Sequence, residues 1–223
     1  MTVTLQKKVL IVLGAIIALS VSITGINILQ NGLGGWNGKN MDDILKMEAA
    51  EATPKTIMAL SKSEVMQLFY SAPAPAFQSM KGEYKTALLP QGIMAAASGY
   101  FTHHFFGPGR WEGKAFFPFE ADRGWGYNIF SSTDDAGKII RHRTRKMDTW
   151  VGTSEIDSRD SFHLLYKAYN GGLVNSMHDE VRKINDRLYL GMGYMAAGGG
   201  SINPAPFLII EKPAPWVGPD GEG

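Results

Sequence analysis

An apolar run without a charged side chain occupies residues 9–29, and Lys7 and Lys8 directly precede it. As a helix rising about 1.5 Å per residue, this run is roughly 30 Å long, which matches the hydrocarbon core of a bilayer. We therefore predict a transmembrane helix over residues 9–29. A cleaved signal peptide is the alternative, although its apolar core is usually only about 7–15 residues long.

The flanking residues predict how this helix lies in the membrane. Lysines favour the cytoplasmic side, so residues 1–8 are expected in the cytoplasm of a bacterium. The rest of the chain would then lie in the periplasm, beyond the inner membrane. Trp36 follows a hinge rich in Gly and Asn and suits the headgroup layer, where aromatic residues collect. Lys7, Lys8 and Trp36 are thus the expected contacts with the membrane interface.

Residues 30–60 are expected to hold this hinge and a juxtamembrane helix. Asn40 is a suitable N-cap, two aspartates follow it in the first turn, and Pro54 limits the helix to residues 41–52. The apolar positions of the helix form one stripe. This pattern predicts that the helix lies near the membrane or against a partner protein.

Two further segments carry helical signals. Ser61 and Glu64 fit a capping box at the start of a helix over residues 62–70. Residues 91–105 are apolar on every side and are compatible with another helix. Both segments would flank the main fold.

From residue 82 onward, short runs typical of β-strands are separated by turn residues. Asn185 and Asp186, for example, fit a two-residue hairpin turn. About eight such runs predict a mainly β domain over residues 61–212, an antiparallel barrel or sandwich with short flanking helices. Residues 213–223 are expected to form a flexible tail. The predicted strands cover residues 82–89, 110–119, 124–132, 138–150, 161–169, 180–184, 187–195 and 206–212.

Composition narrows the functional classes. The chain of 223 residues carries 22 basic and 21 acidic side chains, and this near-neutral balance argues against a nucleic-acid partner. It contains no cysteine, so the outer domain must be held together by packing without disulfide bonds. About 160 residues remain beyond the anchor and hinge, which is enough for one domain with its own core.

Three arginines at alternate positions form the first candidate site. Arg141, Arg143 and Arg145 would share one face of a strand, because side chains two residues apart point the same way. Such a row could contact anionic lipid headgroups or an acidic surface of a partner. A solvated strand face, balanced by nearby Asp and Glu residues, is the alternative interpretation.

Histidine and carboxylate residues form the second candidate. A carboxylate beside His178 could tune its ring as a base, which would suit an enzyme. No nucleophile is identifiable beside it, and an ion pair between Glu180 and Arg182 at a hairpin is the simpler interpretation. The adjacent His103 and His104 would diverge within one element. No spacing typical of a metal site is present, so we expect no metal.

A large apolar set forms the third candidate. Apolar residues alternate along the strand over 187–195 and give it one continuous apolar face. We interpret the set mainly as barrel core, although it could line a pocket for an acyl chain, a pigment or a quinone. The candidate pocket residues are Trp111, Phe116, Trp125, Tyr127, Leu190, Met192 and Tyr194.

Short motifs follow one another in a suggestive order along residues 60–212. They lie at residues 82–84, 111–116, 128, 154 with 157, 166, 179–182, 189–191 and 206–208. Their order resembles that of bacterial lipocalin-like β-domains of unassigned function. The resemblance implies a small antiparallel barrel, often with an internal apolar cavity, and it carries over no catalytic residue.

We expect a non-catalytic, single-pass membrane protein that serves as an accessory or assembly subunit of a larger membrane complex. Its partners would be membrane lipids and an integral-membrane protein, contacted through the transmembrane helix and the juxtamembrane segment. A photosynthetic reaction centre or a respiratory enzyme is a plausible example of such a complex, although no residue in the sequence identifies it.

Two other functions stay open. One is a membrane-tethered carrier of a lipid or other apolar ligand, and the other is an enzyme using the region from His178 to Arg182. The sequence has no phosphate-binding glycine loop, nucleophile elbow or dinucleotide fingerprint. We therefore expect no cofactor.

Overall fold

Eight antiparallel strands form a closed barrel in the computed structural model, which describes residues 5–32, 34–89 and 92–221. Each strand pairs with the next along the chain, and β8 pairs with β1 to close the barrel. The sequence left a barrel and a sandwich open, and the eight antiparallel strands form the barrel. The strands are β1 (Gly82–Leu88), β2 (Arg110–Pro118), β3 (Gly124–Thr133), β4 (Ile139–Thr153), β5 (Asp160–Leu165), β6 (Met177–Asn185), β7 (Leu188–Met195) and β8 (Ala205–Ala214).

Aromatic side chains fill most of the barrel interior. Phe116, Phe130, Phe162 and Tyr166 are fully buried there. The rings of Phe116 and Phe162 meet edge to face, with centroids 5.3 Å apart, an arrangement that the ring quadrupoles favour. The core of the domain therefore lies inside the barrel, as expected for a small barrel filled by its own side chains.

An exposed apolar helix precedes the barrel. The segment Gln6–Gln30 contains an 18-residue window with a mean hydropathy of 2.6 and is long enough to cross a membrane, and a signal sequence near the N-terminus has the same properties. Among the described residues, the helices are α1 (Leu5–Gln30), α2 (Met41–Leu45), α3 (Pro54–Met58), α4 (Lys62–Ser71) and α5 (Ala95–His104).

The last turn of α1 is hydrogen-bonded to one end of the barrel. Asn27 Nδ2 donates to Asn203 Oδ1 at 2.6 Å, and Asn31 Nδ2 donates to the carbonyl of Ile202 at 3.2 Å. The backbone N–H of Ile93 donates to Gln30 Oε1 at 3.0 Å. We call this end, where β7 ends and β8 begins, the cavity end of the barrel.

The helices α2, α3 and α4 cover the outside of β6, β7 and β8. Leu188, Leu190 and Met192 point outward from β7 and form one buried cluster with residues such as Val65 and Leu68 of α4. The apolar face of this strand is therefore core, as interpreted from the sequence, but it lies outside the barrel. It forms a second core between the barrel wall and the helices.

The juxtamembrane helix is shorter than predicted. It ends at Leu45, because Lys46 takes a left-handed conformation with φ 58°. Ile44 and Leu45 are buried in the cluster between the helices and the barrel, so this chain itself covers the predicted apolar stripe. Pro54 begins α3 as its first residue, a position that suits proline because a first-turn N–H has no helical partner.

The start of α4 confirms the predicted capping box. Ser61 Oγ accepts a hydrogen bond from the backbone N–H of Glu64 at 3.3 Å, and the Glu64 carboxylate accepts one from the N–H of Ser61 at 2.8 Å. These reciprocal bonds satisfy two N–H groups that otherwise lack a partner in the first turn. The cap therefore fixes where α4 begins.

The turn between β6 and β7 lies one residue later than predicted. Asn185 still pairs with Leu188, so Asp186 and Arg187 form the two-residue turn. The Asn185 amide donates to the carbonyls of Ala49 and Ala52, at 2.8 and 3.0 Å. These long-range bonds hold Asn185 at the end of the strand.

The C-terminal segment packs on the barrel through Trp216 and Asp220, whereas the sequence predicted a flexible tail over residues 213–223, of which 222 and 223 lie outside the described residues. The ring of Trp216 lies against Tyr127, with centroids 4.5 Å apart, and against Phe117 at 5.4 Å. Asp220 exchanges two hydrogen bonds of 2.7 Å with the backbone of Arg143. The segment thus covers the outer wall near β2, β3 and β4.

Candidate functional site

A cavity of about 230 Å³ lies at the cavity end of the barrel, among α5, the last turns of α1 and the ends of β6, β7 and β8. Most of the side chains around it are apolar. An apolar space of about 150 Å³ already admits a benzene-sized molecule, so a small ring system or part of a chain would fit. The apolar lining includes Leu88, Phe101, Phe106, Trp111, Met177 and Phe207.

A buried ion pair forms the floor of this cavity. Lys114 Nζ lies 2.7 Å from Asp179 Oδ2, and the two side chains are only 2% and 3% exposed. Lys114 Nζ also donates to the Tyr166 hydroxyl at 2.6 Å and to Asn128 Oδ1 at 3.0 Å. The three N–H groups of the ammonium therefore all have partners. Trp111 Nε1 joins the network by donating to Asn128 Oδ1 at 2.9 Å.

Burial shifts the titration of these groups. It lowers the pKa of Lys114, and the carboxylate of Asp179 acts in the opposite direction. Burial and the nearby Asp179 raise the pKa of Tyr166 well above its ordinary value, so the phenol keeps its proton. Its hydroxyl can then donate to Asp179 Oδ2 at 2.9 Å. As a pair of opposite charges, Lys114 and Asp179 make the floor polar without adding net charge.

Asp179 presents a second oxygen beside the cavity. The hydrogen bonds from Lys114 and Tyr166 both reach Oδ2. A Cβ at Gly193 would lie only 2.8 Å from Oδ1, so glycine here leaves room for the carboxylate. Since Asp179 and Gly193 both line the cavity, Oδ1 can accept a hydrogen bond from a bound molecule.

The rim of the cavity holds another acceptor. Asn27 of α1 is 3% exposed, and its Oδ1 has no hydrogen-bond partner among the described residues. The orientation of its amide follows from the network, because Asn203 Nδ2 donates to the Gly198 carbonyl at 2.8 Å. Asn203 Oδ1 must then accept from Asn27 Nδ2. This oxygen is enclosed by protein atoms, and a buried acceptor without a partner is costly.

A second polar cluster lies on the outer face of the barrel wall. His163 Nδ1 and His178 Nε2 are 2.9 Å apart, and His178 Nδ1 lies 3.1 Å from the Tyr194 hydroxyl. Tyr194 donates to Glu180 Oε1 at 2.9 Å, and Trp150 stacks on His163 with centroids 4.8 Å apart. The strand registers bring these residues together, although the sequence separates His163 from His178.

The second polar cluster forms a buried chain of hydrogen bonds. Burial first, and then the neighbouring His163, lower the pKa of His178. Burial and Glu180 raise the pKa of Tyr194. Among the described residues, no group of three or more His, Asp or Glu side chains could hold a metal ion.

Arg182 fastens α4 to the barrel. It is fully buried and makes a bidentate pair with Asp157, with nitrogen–oxygen distances of 2.5 and 2.7 Å. Its other N–H groups donate to Ser161 Oγ and to the carbonyls of Phe69 and Arg159. The ion pair expected with Glu180 is therefore wrong, because the loop between β4 and β5 supplies the carboxylate.

The three arginines of β4 do not act as one row. Arg143 Nε lies 2.6 Å from Glu83 Oε1, whereas Arg141 is mostly exposed and 3.9 Å from Glu112. A register shift accompanies a left-handed φ of 60° at Arg145, which takes this residue out of the alternation. Arg145 Nε donates to the carbonyl of Phe106 at 2.6 Å.

The candidate pocket residues separate into several environments. Trp111 lines the cavity, and Phe116 packs deeper in the barrel interior. Tyr194 borders the cavity, but its hydroxyl belongs to the second polar cluster on the outer face. Leu190 and Met192 lie on the outer face, under the helices. Of the remaining two, Tyr127 lies beneath Trp216, and Trp125 packs against Phe119 with Lys146 Nζ 4.2 Å from its ring.

The candidate interface residues lie on or after α1. Lys7 and Lys8 are exposed on its first turns. Trp36 is half exposed, and the guanidinium of Arg159 lies 5.3 Å from its ring. The adjacent hinge is bonded to α4, since Gln67 Nε2 donates to the carbonyl of Gly35 at 2.7 Å.

Sequence reasoning missed the cavity floor. Lys114, Asn128, Tyr166 and Asp179 are far apart in the chain, and each lies within a mainly apolar strand or beside its end. An isolated polar residue on a core face usually has a buried partner, and this was the available signal. The sequence did not show which of them meet.

Comparisons with known proteins do not indicate a function. No family model and no curated protein matches the chain. Among solved structures, a protein from Thermomonospora curvata has 15% identity and a TM-score of 0.49, and the alignment covers 74% of this chain and 99% of that chain. We draw no argument about fold or function from a likeness of this degree, so the function has to follow from the site itself.

Proposed function

We propose that this protein is a membrane-tethered, lipocalin-like carrier that holds an apolar small molecule in the cavity end of the barrel. The observation that carries the proposal is the cavity itself, which is lined by apolar side chains and lies beside the last turn of α1. Concave, mainly apolar sites with a few polar groups are typical of small-molecule binding. This assignment favours the carrier over the accessory subunit expected from the sequence.

The polar groups indicate what the ligand carries. Asp179 Oδ1 is an acceptor beside the cavity, whereas the N–H groups of Lys114 are already used. The matching ligand has an apolar body and a hydrogen-bond donor, such as a hydroxyl or an N–H group. An anionic headgroup would gain no free charge from the neutral floor. At about 230 Å³ the cavity is below the usual range of roughly 300–1,000 Å³, so part of a larger ligand would remain outside.

We further propose that α1 is a retained anchor of a bacterial inner membrane, with the barrel on the periplasmic side. Lys7 and Lys8 support this orientation. Asn27 and Asn31 are buried against the barrel and bonded to residues 202 and 203. Cleavage of the helix would remove these contacts from the rim of the cavity.

Binding of an apolar naphthylamine fluorophore to the full chain in mild detergent tests the carrier. Ala97 of α5 lines the cavity, so Ala97→Trp should fill it and weaken binding about tenfold or more. Ala96→Trp is the matched control, because Ala96 is an exposed neighbour on the same helix outside the lining. Native mass spectrometry should also detect a co-purified small molecule in the wild type and in Ala96→Trp. Equal binding by all three proteins would refute a ligand in this cavity.

The accessory subunit is kept as a second candidate for one reason. The apolar side chains of α1 between Val9 and Leu29 are mostly exposed and could contact an integral-membrane partner as well as lipid. Co-purification from membranes of the native organism tests it, and a lone monomer under gentle extraction would contradict it. We do not propose the enzyme, because Arg182 in the suggested region is committed to Asp157 and to backbone carbonyls.

A further inference from the structure

The length of α1 relates the barrel to the bilayer surface. The apolar part of α1, residues 9–29, spans roughly 30 Å, so a membrane boundary would fall close to Leu29. Directly at this boundary, Gln30 accepts from the N–H of Ile93 and Asn31 donates to the carbonyl of Ile202. Residues 93 and 202 must therefore lie within about one helical turn, roughly 5 Å, of the boundary.

The cavity end also carries large exposed apolar side chains. Ile93 is 50% exposed, Tyr100 60%, Phe105 64% and Ile202 66%. No residue of α5 is buried, although this helix is rich in alanine and aromatic residues. In water this patch would be unfavourable, whereas aromatic and aliphatic side chains are common at the interface of a membrane.

The opposite end of the barrel has a different surface. The turn between β2 and β3 and the turn between β6 and β7 lie there, and their residues are exposed and mostly charged. The charged residues are Glu120, Asp122, Arg123, Asp186 and Arg187. These turns contrast with the apolar surface of α5 and the loop containing Ile202. The charged turn between β3 and β4, with Asp134, Asp135 and Lys138, also lies at the cavity end, but on the side of the barrel opposite α1.

We propose that the barrel stands on the bilayer with its cavity end against the lipid, so that α5 and the loop containing Ile202 lie in the interfacial layer. The proposal commits to lipid as the occupant of this surface, because the patch is continuous with the end of the membrane-length helix. The cavity would then open toward the lipid phase. This entry route rests on the proposed carrier function, but the orientation of the barrel does not.

Single-cysteine labelling of the full chain tests the orientation. The protein has no cysteine, so Phe105→Cys and Ile202→Cys each give one site for a nitroxide label. Phe119→Cys is the matched control, because Phe119 is also an exposed phenylalanine, 40% accessible, but lies at the opposite end. Each variant is reconstituted into vesicles of phosphatidylethanolamine and phosphatidylglycerol. The accessibility of the label to oxygen and to a water-soluble nickel complex is then measured.

The ratio of oxygen accessibility to nickel accessibility should be several-fold higher for the labels at 105 and 202 than for the label at 119. Equal nickel accessibility at all three sites would overturn the proposal. Shielding of the labels at 105 and 202 from both reagents would also overturn it, since a protein surface would then cover the patch. The fluorophore assay on Ala97→Trp is a separate readout, so failure of the carrier and failure of the orientation can be distinguished.

Discussion

Two buried cations illustrate how single residues organise this fold. Lys114 lies inside the barrel and Arg182 outside it, and each is paired with a carboxylate and hydrogen-bonded to further partners. Removing one member of such a pair leaves a buried charge without compensation. Arg182 therefore fixes the position of α4, whereas Lys114 shapes the floor of the cavity.

The substitution Arg182→Met should lower the free energy of unfolding by about 3–5 kcal/mol, because Asp157 and the Phe69 carbonyl would lose their partner. Lys183→Met is the control, since Lys183 pairs at 2.7 Å with Asp186, whose side chain is 93% exposed. That change should cost less than about 1 kcal/mol. Thermal unfolding in mild detergent, followed by tryptophan fluorescence, measures both. Similar losses for the two variants would contradict the role assigned to Arg182.

At the scale of elements, the four strands β4, β5, β6 and β7 share one buried hydrogen-bond chain on the outer face of the wall. It runs from the carbonyl of Gly152 through His163 and His178 to Tyr194 and Glu180. The groups that face His178 are His163, Tyr194, Glu180 and Glu155, with Asp179 nearby on the same strand. Strand pairing alone brings these groups together, so the hydrogen-bond chain depends on the register of the sheet.

Because of the buried hydrogen-bond chain around His178, we expect the protein to lose stability in acid. The pKa of His178 is below its ordinary value of 6.5, so the unfolded chain binds more protons than the folded protein at pH values just below 6.5. The contribution of His178 to the free energy of unfolding is complete above about pH 6.5. It decreases, by up to about 1.4 kcal/mol per pH unit, as the pH falls through that value. Melting temperatures of the wild type at pH 7.5 and 5.5 should show the decrease.

Variants separate His178 from other acid-sensitive groups. His178→Gln should reduce the difference between the two melting temperatures, because glutamine does not titrate. His104→Gln is the control, since His104 is exposed on α5 and outside the chain of hydrogen bonds. An unchanged acid response in His178→Gln would show that other groups cause it.

At the scale of the whole molecule, the chain covers much of its own barrel. Residues 41–71 cover one side of the wall, and the C-terminal segment covers another through Trp216. Among the described residues, those at the cavity end include a large exposed apolar patch. This uneven covering is the physical basis for the orientation that we propose.

The substitution Trp216→Ala should destabilise the protein by about 2 kcal/mol, because the ring packs on both Phe117 and Tyr127. Trp36→Ala is the control and should cost less than about 1 kcal/mol, since the ring of Trp36 is half exposed and contacts Arg159. Chemical denaturation of the full chain in detergent compares them. A negligible effect at Trp216 would mean that the C-terminal segment adds no stability.

Local sequence patterns were sufficient to predict several elements. The apolar run predicted a membrane-length helix, the pair Ser61 and Glu64 predicted the start of α4, and alternation with turn residues predicted the eight strands. Each of these features depends on residues close together in the chain. The period of two along β7 also predicted that one face is apolar, but it could not tell which side of the barrel that face occupies.

Only the tertiary structure decided which side of the barrel the apolar face of β7 occupies. Tertiary contacts also assemble the site. Gly191 and Gly193 leave space inside the barrel for Phe207 and Asp179, while the helices bury the larger side chains of β7 outside. Barrel closure brings Lys114 to Asp179, and the helical cover brings Arg182 beside Phe69. By itself the sequence determined the anchor-length helix and the strands, because short periodic patterns encode them. The cavity, its polar floor and its position beside α1 depend on contacts between distant residues, which no local pattern specifies.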